Sequence, residues 1–212
     1  MAFQSYSEAH RDMVARTAEA VGLRLDDLDG VSFGPKSHKG PMKASADPNL
    51  DNLNSKLINV NSIEELKRIG GIPDSQFKEG NDRHLDYPDA VLTTDIMTAI
   101  ERAKADDCAL ESFIAPQDLR KIDAAMLTFV NGDSEKVKGY EQVINALKFP
   151  GQILVTAGED ITVTPSNPLI IGENSPYVHG GLALFGTVTV EPGGQIQILI
   201  PVTFQASQLI LK

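Results

Sequence analysis

The chain has 212 residues and a formal net charge of −10, so it is long enough for one full domain, or two small ones, to bury a core without disulfides or metal. Its single cysteine, Cys108, excludes a disulfide framework within the chain. The acidic excess disfavours broad electrostatic binding to nucleic acid or anionic lipid, because both need basic patches. We therefore expect no nucleic-acid partner.

The N-terminus lacks both the basic start and the apolar run of a secretory signal. This pattern predicts a cytoplasmic protein, and export by a route without such a signal stays an open alternative. The longest uncharged stretch, residues 192–211, contains proline and a glycine pair and alternates like a strand. A helix that spans a bilayer has neither property, so we expect no membrane span.

Charged residues are divided unevenly along the chain. Residues 1–150 carry 43 of the 48 charged residues, and residues 151–212 carry five. Helical signals dominate before this boundary, and short β-branched runs separated by turns dominate after it. The sequence therefore predicts an α+β protein in which a mainly α-helical region, 1–150, precedes a small, charge-poor all-β domain, 151–212.

The first predicted helix has the clearest signals. Ser5 and Glu8 have the spacing of a capping box, and Gly22 ends the pattern as a C-terminal cap. Between them, apolar or small residues recur at helical spacing at Met13, Val14, Thr17, Ala18 and Val21. We assign His10 to the polar side of this helix, where we expect it to be solvated.

Four further helices are predicted before residue 150. Ser62 with Glu65 marks the start of a short helix that ends at Gly70 and Gly71. Pro116 has the position of a first-turn proline, and Pro150 must stop the last helix. The other predicted helices run over about 94–105, over 116–131, and from 133 or 134 up to Pro150.

The segment 31–57 is rich in proline and glycine, a composition that breaks any helix. We therefore expect a long irregular loop. Loops of this length inside compact domains usually bind something or wrap a neighbour. The two alternatives are contact with another protein through residues 31–57 and a solvated surface segment.

Six strand candidates follow Gly151. They are residues 153–155, 161–163, 169–171, 186–190, 196–200 and 202–211. The connectors between them are turn-forming, because proline fixes φ and glycine allows positive φ. This spacing fits a compact sandwich, a roll or a short β-solenoid, and no fixed period decides among them.

The missing charge in the β domain indicates how it is used. Small sheets normally carry charged side chains on their wet face and edges, and an uncharged exposed strand promotes aggregation. We therefore predict that the β domain forms the interface between identical subunits; the alternative is that threonine and glutamine alone keep its surface hydrated. The predicted interface residues alternate along the strands: Thr187, Thr189, Gln195, Gln197, Thr203 and Gln205.

A candidate metal site lies at Asp82, His84 and Asp86, which would point to one side of an extended segment. Such a face could hold a divalent cation or supply a general base. No second histidine or cysteine group with ligand spacing accompanies it. The structural alternative is that Pro88 marks a turn and the nearby carboxylates cap a helix.

A candidate ligand-binding loop spans residues 174–181. Tyr177 could stack on a sugar ring, with Asn174 and His179 as polar neighbours. The β domain contains no tryptophan, the usual platform for carbohydrate. This loop is the basis for an alternative function as a secreted lectin-like or toxin-like binding module.

Catalytic motifs are otherwise missing from the sequence. There is no Gly-x-Ser-x-Gly elbow, and the carboxylates of Asp106 and Asp107 disfavour a reactive thiolate at Cys108. The sequence therefore predicts a non-enzymatic, self-assembling structural or interaction protein without a cofactor, whose β domain forms the subunit interface. A metal-dependent hydrolase centred on Asp82, His84 and Asp86 is the enzymatic alternative.

Overall fold

The protein is described by a computed structural model, which confirms the α+β class. The described residues are 7–20, 22–24, 40–77, 85–89, 96, 98–102, 114–158, 160–172 and 178–212. The chain divides into two compact units, one formed by residues 60–151 and the other by residues 1–59 together with 152–212. The N-terminal segment, 1–59, therefore belongs with the β-rich C-terminal part.

The unit formed by residues 60–151 is helical. Its elements are α2 (Ile63–Gly70), a 3₁₀ turn (Asp74–Gln76), α3 (Pro116–Asn131), a second 3₁₀ segment (Ser134–Tyr140) and α4 (Glu141–Lys148). Residues 96 and 98–102 are also helical and lie within the predicted helix 94–105. Pro116 begins α3 because its missing N–H is not needed in the first turn.

The predicted cap of α2 is confirmed. The Ser62 hydroxyl accepts a hydrogen bond from the backbone N–H of Glu65, with a distance of 3.3 Å between the two atoms. The Glu65 carboxylate in turn accepts one from the N–H of Asn61 at 2.7 Å. Two backbone donors at the helix start are satisfied in this way, which fixes where α2 begins.

The last predicted helix, from residue 133 or 134 to Pro150, is divided in two. The 3₁₀ segment Ser134–Tyr140 precedes α4, and Val137 within that segment has non-helical φ and ψ of −122° and 16°. Val137 and Tyr140 are both buried. A 3₁₀ helix has three residues per turn, so it places two residues three apart on the same buried face.

The other unit begins with α1 (Glu8–Ala20), which buries Met13, Val14, Thr17 and Ala18 of the predicted stripe and packs against the C-terminal strands; Val21 lies outside the described residues. The Ser7 hydroxyl accepts a hydrogen bond from the N–H of His10, and Gly22 follows the helix with a φ of 71°. The prediction for His10 is wrong: it is 4% exposed and lies on the packed side of α1. An imidazole has enough apolar surface to be buried in such a face.

Among the described residues, eight strands lie in two sheets. They are β1 (Met42–Ala44), β2 (Lys56–Val60), β3 (Gly151–Gly158), β4 (Ile161–Val163), β5 (Leu169–Ile171), β6 (Val178–Val190), β7 (Ile196–Ile198) and β8 (Val202–Leu211). One sheet has the order β1-β5-β7; in the other, β2 lies beside β3, and β3, β4 and β8 all pair with β6. The predicted strand positions after Gly151 overlap these strands throughout.

Strands β1 and β3–β8, which we call the parallel stack, pair only in parallel with one another. Ile161 of β4 pairs with Val188 of β6, and Leu169 of β5 pairs with Ile196 of β7, so these two pairs share the same offset in sequence. The offset between β6 and β8 is shorter. The chain therefore passes repeatedly over the same path, and each coil lies on the preceding one.

The inside of the parallel stack is apolar. Leu154, Gly181 and Val202 occupy one row of neighbouring strands, and the rings of Phe185 and Phe204 lie 5.5 Å apart between centroids. Each fully buried Leu, Ile or Phe contributes about 1.5–3 kcal/mol. The buried core comprises Met42, Ala44, Leu53, Leu154, Ile161, Val163, Leu169, Ile171, Val178, Ala183, Phe185, Val188 and Ile200.

The described part of the predicted loop 31–57 differs from the prediction. Residues 40–57 include β1 and the start of β2, and Met42, Ala44 and Leu53 are buried in the core of the parallel stack. The prolines and glycines had predicted a segment unable to bury itself. Strands of three to five residues fit between such residues when a neighbouring strand, here β5, supplies the hydrogen bonds.

Candidate functional site

The last coil of the parallel stack, residues 192–211, is the candidate site. Among the described residues, β7 pairs only with β5, and β8 pairs only with β6. Each strand therefore has a partner along one edge, and the opposite edge presents backbone N–H and C=O groups to the surroundings. Such an edge can pair with another strand.

Apolar side chains are exposed on this coil. Ile198 is 50% exposed, Leu199 and Leu209 are each 54% exposed, and Leu211 is 73% exposed. Single exposed leucines are common on protein surfaces, but several together indicate a surface that contacts something.

No charged residue lies between Pro192 and Leu211. The nearest charges flank the coil and pair with each other: the Lys212 ammonium lies 2.9 Å from the Glu191 carboxylate. The Lys212 N–H also donates to the carbonyl of Val190 at 3.0 Å. The charged side chains that usually keep an edge strand from pairing are therefore missing from this coil.

The opposite end of the parallel stack is closed. On β1, Lys43 is engaged by Asn52: the Lys43 N–H donates to the Asn52 side-chain oxygen at 2.7 Å, and the Lys43 carbonyl accepts from the Asn52 N–H at 3.0 Å. The carboxylate of Asp51 accepts from the N–H groups of Ser45 and Ser55. Leu53 inserts into the core with no exposed surface. The turn from Ser45 to Ser55, which we call the capping turn, thus covers this end.

The six predicted interface residues lie on the C-terminal strands and turns, and their role as an interface stays a prediction. Gln195 and Gln197 are partly exposed, and Thr187, Thr189 and Thr203 are half-buried. Gln205 accepts a hydrogen bond from the Thr17 hydroxyl of α1 at 2.9 Å. The chain's own first helix therefore contacts one of the six.

The predicted ligand-binding loop is described only in part. Asn174 and Tyr177 lie outside the described residues. His179 is half-buried near the start of β6 and is followed by the buried Gly180 and Gly181. The side chain that was expected to stack on a sugar is thus not placed, and the binding role stays a prediction.

The predicted metal site is also described only in part, because Asp82 and His84 lie outside the described residues. Asp86 is exposed in the segment 85–89. Its neighbours form hydrogen bonds with the second 3₁₀ segment and the residue before it. The Tyr87 hydroxyl accepts from the N–H of Asp133 at 2.8 Å, and the Asp89 carbonyl accepts from the Tyr140 hydroxyl. Within the described ranges, no three His, Cys, Asp or Glu side chains are arranged to hold a metal ion.

A buried polar cluster that the sequence did not reveal lies in the helical unit. The Lys67 ammonium donates to the carbonyls of Phe129 and Gly132 at 2.8 and 2.7 Å and lies 2.9 Å from the Asp74 carboxylate. Burial alone would raise the pKa of Asp74, but hydrogen bonds from Ser134 and the charge of Lys67 outweigh it and lower that pKa. The cluster secures the C-terminal end of α3, where carbonyls lack helical partners.

A pair of carboxyl groups joins α2 to α4. The pKa of Glu141 is raised by its hydrogen bond to the Glu64 carboxylate, then by burial and by the nearby negative charge. Burial works to raise the pKa of Glu64 too, but hydrogen bonds from Glu141, Ser62 and Asn145 lower it overall. The hydrogen bond between the two carboxyl groups therefore favours the protonated form of Glu141 and the ionised form of Glu64.

No helix among the described residues is both long enough and apolar enough to cross a bilayer. Comparison of the chain with protein-family models, with curated proteins and with solved structures finds no match.

Proposed function

We propose that the protein is a self-assembling structural or interaction protein, and that its C-terminal β part, a short β-solenoid, supplies the interface between identical subunits. The observation that carries the proposal is the open end of the parallel stack, where half-exposed leucines lie on unpaired strand edges without any charge. The parallel pairing of successive coils supports the solenoid interpretation over a sandwich or a roll.

Covering this end has two physical benefits. Apolar surface is removed from water, which is favourable in proportion to its area. Backbone groups along the edges of β7 and β8 also gain partners, so the edge is no longer a template for unspecific aggregation. A strand edge from another subunit supplies both benefits at once, because it brings hydrogen bonds and apolar side chains together.

The two alternative functions rest on the sequence alone. A binding role for residues 174–181 and metal-dependent hydrolysis at Asp82, His84 and Asp86 have no described contact that favours them over self-assembly. A cytoplasmic location and a partner bound through residues 31–57 likewise stay predictions.

Self-assembly is tested by light scattering on the full chain across a wide range of concentrations, combined with hydrogen exchange. We expect a discrete oligomer at high concentration, and slower amide exchange in residues 192–211 when it forms. Exchange in α3 should be the same at both extremes of concentration, which provides an internal control. A monomer at every concentration, or protection that rises only in residues 60–150, would refute the proposal.

A further inference from the structure

We propose, building on the self-assembly proposed above, that two copies of the chain join by antiparallel pairing of their β8 strands about a two-fold axis. The product is a closed dimer in which the cores of two parallel stacks become continuous. Three properties of the last coil lead to this arrangement: its charge, its difference from the opposite end, and the alternation of its side chains.

Charge favours a second copy as the occupant. Each chain has a net charge of −10, so two copies repel each other over most of their surfaces. The coil from Pro192 to Leu211 is uncharged, and its flanking residues Glu191 and Lys212 neutralise each other. Two copies that meet at this coil bring no carboxylates together, whereas a basic partner would find no charge to recognise there.

The closed end of the stack determines the symmetry. In a head-to-tail assembly, the β7 edge of one copy would have to pair with β1 of the next, because β1 and β7 are the two edges of one sheet. The outward N–H and C=O of Lys43 on β1 are already bonded to Asn52, and the core beneath is filled by Leu53. Stacking of the whole open end on the opposite end is therefore blocked at β1, whereas two open ends meet no such obstacle, and a contact of like with like is a closed two-fold dimer.

The alternation along β8 permits this pairing. Val202 and Phe204 are in register with the core-side positions Gly181 and Ala183, and Leu209 and Leu211 with Val188 and Val190. All four residues therefore follow the inner face of the stack. The inward-facing positions have even numbers at Val202 and Phe204 and odd numbers at Leu209 and Leu211, so the alternation changes by one residue between Phe204 and Leu209. An antiparallel pair centred between Ala206 and Ser207 places Val202 opposite Leu211 of the second copy, and Phe204 opposite Leu209. Residues opposite each other in an antiparallel pair point to the same face, so the apolar face continues across the axis.

The interface is tested with two leucines of matched exposure. Leu209 on β8 is 54% exposed, and Leu127 on α3 is 51% exposed. We expect Leu209→Lys to convert the dimer into a monomer by light scattering, because each ammonium group would be buried opposite Phe204 of the second copy without a partner for its charge. Leu127→Lys should leave the dimer intact. If Leu209→Lys fails to fold, Leu211→Lys at a 73% exposed position provides the same test.

The direction of pairing is tested by spin-label distances between the two copies, with Cys108 replaced by serine. In the antiparallel arrangement, a label at Ser207 lies next to the axis, whereas labels at Lys212 are separated by many residues of strand at about 3.3 Å each. We therefore expect a short distance for Ser207→Cys and one several-fold longer for Lys212→Cys. Equal short distances at both positions would indicate parallel pairing and overturn the proposal.

The outcomes separate this inference from the proposed function. A wild-type oligomer that survives both Leu209→Lys and Leu211→Lys would overturn the β8 interface while leaving self-assembly in place, as would an assembly that grows beyond a dimer. A wild-type monomer would overturn both proposals and leave the open end to a different partner. A dimer lost in Leu209→Lys and kept in Leu127→Lys supports the inference.

Discussion

Replacing Lys67 by methionine removes a buried ammonium and keeps most of the side chain's length. The ammonium group is the donor to the carbonyls of Phe129 and Gly132, and the Lys67 side chain is only 10% exposed. A buried carbonyl without a donor costs about 1–3 kcal/mol, so two such groups predict a loss of about 2–6 kcal/mol in the free energy of unfolding. The ion pair adds little to this figure because the Asp74 side chain is 42% exposed.

The assay is urea unfolding followed by circular dichroism, and Lys138→Met is the matched control. Lys138 lies 2.9 Å from Glu135, the same distance as Lys67 from Asp74, but its side chain is 61% exposed. We expect no measurable change for the control. We attribute the stabilisation by Lys67 to its hydrogen bonds with two buried carbonyls and not to its ion pair with Asp74. Equal stabilities of the two variants would refute this explanation.

The pH dependence of the Lys67 effect follows from the lowered pKa of Asp74. A carboxyl group whose pKa is lowered on folding stabilises the protein above its unfolded pKa, and this stabilisation is lost as the pH falls through its folded pKa. Lys67 is one of the groups that lower this pKa. The difference in stability between the wild type and Lys67→Met should therefore shrink in acid but not vanish, because the two carbonyls do not titrate.

Two further substitutions test other parts of the fold. Glu141→Gln should raise the melting temperature at neutral pH. The pKa of Glu141 is raised in the folded protein, so its stabilising contribution is lost as the pH rises through the folded pKa. Glutamine keeps a donor for the Glu64 carboxylate and carries no charge. The gain should vanish at a pH low enough to protonate both carboxyls, and no gain at neutral pH would contradict the raised pKa of Glu141 as the cause. Gly172→Ala should cost more than about 1 kcal/mol in urea unfolding, because Gly172 has a φ of +82° and a Cβ would lie 2.5 Å from Ile200. Gly139→Ala, where a Cβ meets nothing within 4 Å, is the control and should be neutral; equal losses would contradict this explanation.

The strands could be predicted from the sequence because their signals are local. Residues 161–163, 169–171 and 202–211 match β4, β5 and β8 in full, since β-branched runs lie between prolines and glycines that cannot continue a strand. The two strands predicted on either side of the turn at Pro192 are present as the end of β6 and as β7. Their pairing could not be predicted, because β7 pairs with β5, a partner distant in sequence that alternation cannot identify.

The repeat that would have indicated the parallel coils is present but incomplete. Ile161-Thr-Val-Thr-Pro165 and Val188-Thr-Val-Glu-Pro192 have similar patterns, and Ile161 and Val188 are direct partners in the pairing of β4 with β6. The following coil returns sooner, because the connection from β7 to β8 is shorter than the one from β5 to β6. With two unequal coils, no fixed period emerges from the sequence.

Other features depend on contacts between distant parts of the chain. The Lys67 cluster joins α2 to carbonyls at and beyond the end of α3, and no spacing rule relates a lysine to backbone groups so far along the chain. His10, in contrast, could have been placed from the sequence, because it lies three, four and seven residues before Met13, Val14 and Thr17 and therefore shares their buried face. The prediction of a solvated histidine was wrong because it followed the residue type instead of the helical spacing.

The open end of the parallel stack differs from these features because sequence and structure identify it independently. The absence of charge between Pro192 and Leu211 is a property of the sequence, whereas the exposed leucines and unpaired edges are properties of the fold. An edge strand that is normally kept apart from other strands would be expected to carry lysine, proline or a bulge on its exposed side. The opposite end has such protection in the capping turn, which is fully hydrogen-bonded at Lys43. A chain that closes one end of a stack and leaves the other uncharged and apolar has the construction expected of a subunit with a single interface.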